Sequence, residues 1–187
     1  MLNRVSSFFC LNEKKVVTLH LESDTIKMAE DFRKSQSFKA QLDKARCWCA
    51  AEERCESGVR QKLVAWGAEG DDVDAVVDAL KEDGYLDDRR YARAYCESKV
   101  LHQHWGRQKV QYQLRMKGLQ REAIAEGMAA VDEEQYMDML LEAAERKLRE
   151  LGGKLGVTEK RKLMAFLASR GFTMSEINEV ITKITKQ

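Results

Sequence analysis

Three leucine-to-glycine steps, spaced almost evenly along the chain, constrain its fold more than any other feature. Leu63 leads to Gly67 in KLVAWGA, Leu114 to Gly118 in QLRMKGL, and Leu167 to Gly171 in FLASRGF. An apolar residue follows each glycine (Ala68, Leu119, Phe172), and another stands eight residues before it (Val59, Val110, Leu163). Six, nine, ten and thirteen residues after the glycine come Val73, Val76, Val77 and Leu80 in the first copy. The third copy has Ile177, Val180, Ile181 and Ile184 there, and the second has Ile124, Gly127, Met128 and Val131. Steps of three, one and three mark one face of an α-helix. A glycine just past a helix end adopts the left-handed conformation at little cost, so each repeat reads helix, corner, helix. The glycines lie 51 and 53 residues apart, a period that signals tandem units.

A further helical stretch precedes each pair, at roughly 39–54, 87–102 and 133–151. In the last of these, Tyr136, Leu140, Ala143, Ala144 and Leu148 form one stripe. Thr173 and Glu176 have the spacing of a capping box at the start of the final helix. The chain contains no proline, which leaves long helices unbroken. With 44% apolar and 34% charged residues, it fits an extended helical protein better than a compact α/β enzyme. The expected fold is all-α: three tandem three-helix modules, 39–86, 87–132 and 133–187, in an elongated, curved arrangement. Residues 1–38 form an N-terminal extension, in which KKVVTLHLES alternates like a short strand carrying Val17, Leu19 and Leu21 on one side.

The net charge of +1 conceals a gradient. Residues 40–86 hold 11 acidic and 6 basic side chains, whereas residues 87–131 hold 5 acidic and 9 basic ones. An acidic end beside a basic middle presents oriented surfaces to a large partner. The basic residues Arg107, Lys109, Arg115, Lys117 and Arg121, with Lys160, Arg161, Lys162 and Arg170 in the third unit, are the candidate surface for DNA phosphates or an acidic protein. Asp87 and Asp88 in GYLDDRRYARAY invite an acid/base reading, but adjacent residues on a helix point about 100° apart. They are better read as a helix N-terminus, where carboxylates cap free N–H groups. Tyr91 and Tyr95 share a helix face and are expected in the core, with Arg89, Arg90 and Arg93 outside. Trp48, Trp66 and Trp105 are read as core or corner packing.

Cys47-x-Cys49, Cys55 and His102-x-His104 lack the usual two-to-four-residue ligand spacing, so no metal site is expected, and no cofactor. No phosphate-binding, dinucleotide-binding or hydrolase motif occurs. No segment approaches the roughly 18 consecutive apolar residues of a membrane helix. No cleavable signal is recognised, and the five cysteines are read as reduced thiols of a cytoplasmic monomer.

GYLDDRRYARAY, then WGRQKVQYQLRMKGL, and finally LMAFLASRGFTMSEINEVI together resemble the RecX family over about residues 40–184. The first unit, with WCAAEERCE, departs from the more basic pattern of many relatives. The resemblance implies binding in the helical groove of the RecA–DNA filament across neighbouring subunits. It further implies restraint of filament growth, strand exchange and coprotease activity, without catalytic residues or cofactor, and with variable binding to single- or double-stranded DNA. The alternative is a DNA-binding protein using its units as helix-turn-helix-like modules. A hydrolase built on Asp87 and Asp88 is the remaining competitor.

Overall fold

The computed structural model describes residues 10–186. The nine α-helices among them are α1 (Cys10–Ala51), α2 (Glu56–Ala65), α3 (Gly70–Glu82), α4 (Asp88–Glu97), α5 (Arg107–Met116), α6 (Arg121–Ala129), α7 (Glu133–Glu150), α8 (Val157–Ser169) and α9 (Met174–Thr185). A π-helical turn, Ser98–His102, continues α4. No strand occurs among the described residues, so the all-α expectation holds.

The repeat works as its spacing implies. Val59, Val110 and Leu163 are fully buried, as are Leu63, Leu114 and Leu167. Gly67, Gly118 and Gly171 all take positive φ, at 89°, 83° and 88°. At each corner the next residue donates its N–H back to the leucine carbonyl (Ala68 to Leu63, Leu119 to Leu114, Phe172 to Leu167), which closes the helix end. The second copy's exception, Gly127, has a local cause. A Cβ there would come within 2.8 Å of the Ala92 carbonyl carbon, because α6 crosses α4 at that point.

Asp87 caps α4, accepting from the N–H groups of Arg89 (2.8 Å) and Arg90 (3.1 Å). Thr173 and Glu176 form the complete capping box of α9.

The strand expected at 14–23 is instead part of α1. Nothing among the described residues could pair with it, and a lone strand leaves its backbone groups unpaired. Residues 10–51 contain neither glycine nor proline, so the helix can satisfy its own backbone without a break. Residues 1–9 of the extension lie outside the described residues.

The three units are built on two hydrophobic clusters. Leu42, Ala45, Val59, Leu63, Val76 and Leu80 centre the first, formed by the end of α1 with α2 and α3. Helices α4 to α9 share the second, through residues such as Val100, Val110, Leu140, Leu167, Phe172 and Ile177.

What fuses α4–α9 is a glycine contact. Gly106, preceding α5, lies so close to Gly171, following α8, that a Cβ on Gly106 would overlap the Gly171 backbone and one on Gly171 would overlap Lys109. The Gly106 N–H donates to the Arg170 carbonyl (2.8 Å) and the Gln108 N–H to the Gly171 carbonyl (3.1 Å). The open donors at the start of α5 thus satisfy the open acceptors at the end of α8, positive dipole end against negative.

Candidate functional site

The basic residues singled out in the sequence fall into three groups. Arg107 and Arg170 belong to the joint between α5 and α8. Arg107 pairs with Glu133 (2.5 Å) and lies 3.7 Å from Glu176, with its guanidinium stacked 4.0 Å over the Tyr136 ring. The Glu133 carboxylate raises its pKa, and the guanidinium in turn holds Glu133 below the usual carboxylate range. Arg170 donates to the Gln103 carbonyl (3.1 Å) and stacks over Phe166. Both guanidiniums are already engaged inside the molecule.

Arg115, Arg121, Lys160, Arg161 and Lys162 are exposed, and none has a carboxylate within ion-pair distance among the described residues. Lys160–Lys162 lie near the start of α8, roughly 15 Å of helix from the Gly171 corner where α5 begins.

Lys109 and Lys117 form the third group, over aromatic rings. Lys109 Nζ is 4.3 Å from the Trp105 centroid, and Lys117 Nζ is 5.9 Å from both the Tyr91 and Tyr95 centroids. They are part of a larger band whose rings the sequence alone assigns to packing. Lys99 lies over Tyr95 (5.3 Å) and Trp105 (5.4 Å). In the first unit, Lys44 is 4.2 Å from the Trp66 centroid and Arg54 is 4.1 Å from that of Trp48. Lys62 lies within 5.8 Å of both these rings. Trp48 and Trp66 meet edge to face at 6.1 Å, and Tyr91 and Tyr95 lie 5.7 Å apart.

A cleft lined by Trp48, Arg54, Tyr91, Tyr95, Lys99 and Lys117 joins the two halves of the band across the boundary between first and second units. All five aromatic residues are half-buried. The sequence did carry a trace of this arrangement. Lys44 and Trp48, Lys62 and Trp66, Tyr95 and Lys99, and Trp105 and Lys109 are each four residues apart.

The carboxylates near this cleft are neutralised. Glu52 pairs with Arg54, and Glu53 with Arg90 at 2.5 Å. Burial raises the pKa of the Tyr91 and Tyr95 hydroxyls. The first unit is tied to the second beside a neighbouring cleft, lined by Ser57, Gly84, Arg90 and Lys117. Ser57 Oγ donates to the Lys117 carbonyl (2.6 Å), and Arg90 to the Gly84 carbonyl (3.0 Å).

The Asp87 carboxylate is engaged in capping α4. Asp87 is held below the usual carboxylate range by the N–H groups it caps, whereas burial raises Asp88. Among the described residues no three His, Cys, Asp or Glu side chains gather to hold a metal. Cys49, Cys55 and Cys96 are buried, and burial pushes the Cys96 thiol up to about 11. No helix among the described residues is long and apolar enough to cross a membrane.

Comparison with known proteins matches two successive units. Residues 87–128 match the model of the second three-helix domain of RecX, and residues 133–181 that of the third. A regulatory protein RecX of Clostridium botulinum (strain Eklund 17B / Type B) is 33% identical over 130 residues, covering 68% of this chain and 60% of the relative. The chain thus spans about 60% of the length of the clostridial relatives it matches. A regulatory protein RecX of Escherichia coli O9:H4 (strain HS) is 28% identical over 165 residues, covering 82% of this chain and 96% of the relative.

Among solved structures, RecX from Lactobacillus salivarius superposes with a TM-score of 0.73 over 82% of this chain and 99% of that one, at 15% identity. A second regulatory protein RecX gives 0.68 over 78% of this chain and 74% of that one, at 19% identity. Domain models matching consecutive units, relatives aligned across them and the shared fold agree: this chain belongs to the RecX family.

Proposed function

We propose that this protein regulates the RecA recombinase. In this reading it docks as a monomer in the helical groove of the RecA–DNA filament, in the cytoplasm, and restrains recombinase, ATPase and coprotease activities without catalysing a reaction itself. Family membership is the observation that carries the proposal. Its relatives are named regulatory proteins rather than enzymes. The exposed cations without internal carboxylate partners (Arg115, Arg121, Lys160, Arg161 and Lys162) supply the contacts to filament phosphates or acidic protein surface. Arg107 contributes instead by holding α5 against α7 and α9, and Arg170 by holding the end of α8 against the turn that precedes α5.

The test is RecA ATPase on single-stranded DNA, titrated with this protein. The wild-type chain is expected to suppress turnover. An Arg115→Glu, Lys162→Glu variant with an unchanged unfolding midpoint should need at least tenfold more protein for the same effect. ATP turnover unaffected by the wild-type chain across a wide concentration range would sink the proposal.

A further inference from the structure

The aromatic–cationic band has an organisation that packing alone does not require. Its lysines have no carboxylate within ion-pair distance among the described residues, although acidic side chains are plentiful nearby. The neighbouring arginines consume those acids, which leaves Lys44, Lys62, Lys99, Lys109 and Lys117 resting on ring faces. A lysine over an exposed ring gains only about 0.5–1 kcal/mol. A nucleobase stacked on the same ring gains about 1–3 kcal/mol, and the displaced ammonium finds a phosphate. Exchange of the one contact for the two is favourable.

We infer that the band running from Trp66 and Trp48 across the cleft to Tyr91, Tyr95 and Trp105 is a binding path for a single-stranded polynucleotide, with bases on the rings and phosphates on the intervening lysines. Unpaired bases are required because a duplex hides its base faces within the stack. Ring faces accept any base, so recognition is sequence-tolerant. The path includes the first unit, which its net charge alone would exclude. It needs no other protein, so it stands or falls separately from the RecA reading.

All three tryptophans of the chain lie in the band, which makes intrinsic fluorescence a direct reporter. The full chain is titrated in about 0.1 M salt with a ~15-nucleotide oligothymidylate, an oligouridylate of that length, an abasic oligonucleotide of that length, and a duplex. Both single strands are expected to quench tryptophan emission and bind with affinity that falls as salt rises. The abasic strand should bind at least tenfold more weakly and leave the emission unchanged. The duplex should compete at least tenfold less well than the single strands. If only one sugar type binds, the path is specific to DNA or RNA and remains a single-strand path.

A Lys62→Glu, Lys99→Glu variant should lose at least tenfold in affinity, while Lys183→Ala on α9 stays within twofold. Equal affinity for the abasic strand, or a preference for the duplex, overturns the stacking path. Unaltered binding by the Lys62→Glu, Lys99→Glu variant, or no binding to any strand, overturns the site. Trp105→Leu and Tyr95→Leu, checked by circular dichroism for retained helix, separate ring loss from unfolding and should each weaken oligothymidylate binding severalfold.

Discussion

Residues that the repeat makes equivalent are not equivalent in what surrounds them. Gly67 and Gly118 have open space where a Cβ would go, whereas at Gly171 a Cβ would overlap Lys109. Alanine at Gly118 should therefore cost about 1–2 kcal/mol, the price of a left-handed conformation for an L-residue. At Gly171 the same change adds overpacking of about 1–3 kcal/mol. Urea unfolding of the two variants checks the ranking, which equal costs would contradict. The adjacent aspartates at 87 and 88 also diverge. Asp87 has its pKa lowered in the folded state, so its stabilisation is complete above its unfolded value near 4 and is lost as pH falls through the folded one. Asp88 is raised by burial, so its charged form opposes folding as pH climbs through the folded value. Asp87→Ala should destabilise the protein by about 1 kcal/mol at pH 7 and flatten the acid limb of its stability curve. Asp88→Asn should raise stability at the same pH. Thermal melts between pH 3 and 7 read both effects.

Helices were the most legible level of the sequence, because what defines them is local. Buried residues at fixed offsets, a glycine beyond the last turn and Thr173–Glu176 all act within a few residues of one another. The strand reading of residues 14–23 failed because alternation alone cannot supply a pairing partner. Arg107 looked like a surface cation because Glu133, Glu176 and Tyr136, which occupy it, come from later helices. The band was missed for the same reason. A Lys–Trp pair four apart is visible in the sequence, but the approach of Lys44 to Trp66 and of Trp48 to Tyr95 depends on how helices cross. Gly127 shows the converse, a residue that looked like a lapse in the pattern and marks the crossing of α6 over α4. Gly127→Val should therefore destabilise the protein by about 1–3 kcal/mol despite restoring the branched residue found in the other two copies, as equilibrium unfolding would show.

The molecule as a whole holds together unevenly. The first unit has its own core and meets the rest through Ser57, Arg90 and the cleft, while α4–α9 share a single core. Urea should then resolve two transitions. Leu63→Ala should lower the midpoint of one and Leu140→Ala that of the other, each by the equivalent of about 2–5 kcal/mol. A single transition shifted by both variants would show that the two bodies unfold together. The pairing of Gly106 with Gly171 has a further consequence, for the growing chain on the ribosome. Synthesis proceeds at roughly 5–20 residues per second, so about 3–13 seconds separate the emergence of these two glycines. Through that interval α5 has no receptor for its leading N–H groups, whereas the first unit has every residue of its core from Leu86 onward. The nascent protein thus acquires its acidic end first and completes its basic remainder only after residue 172 has been made.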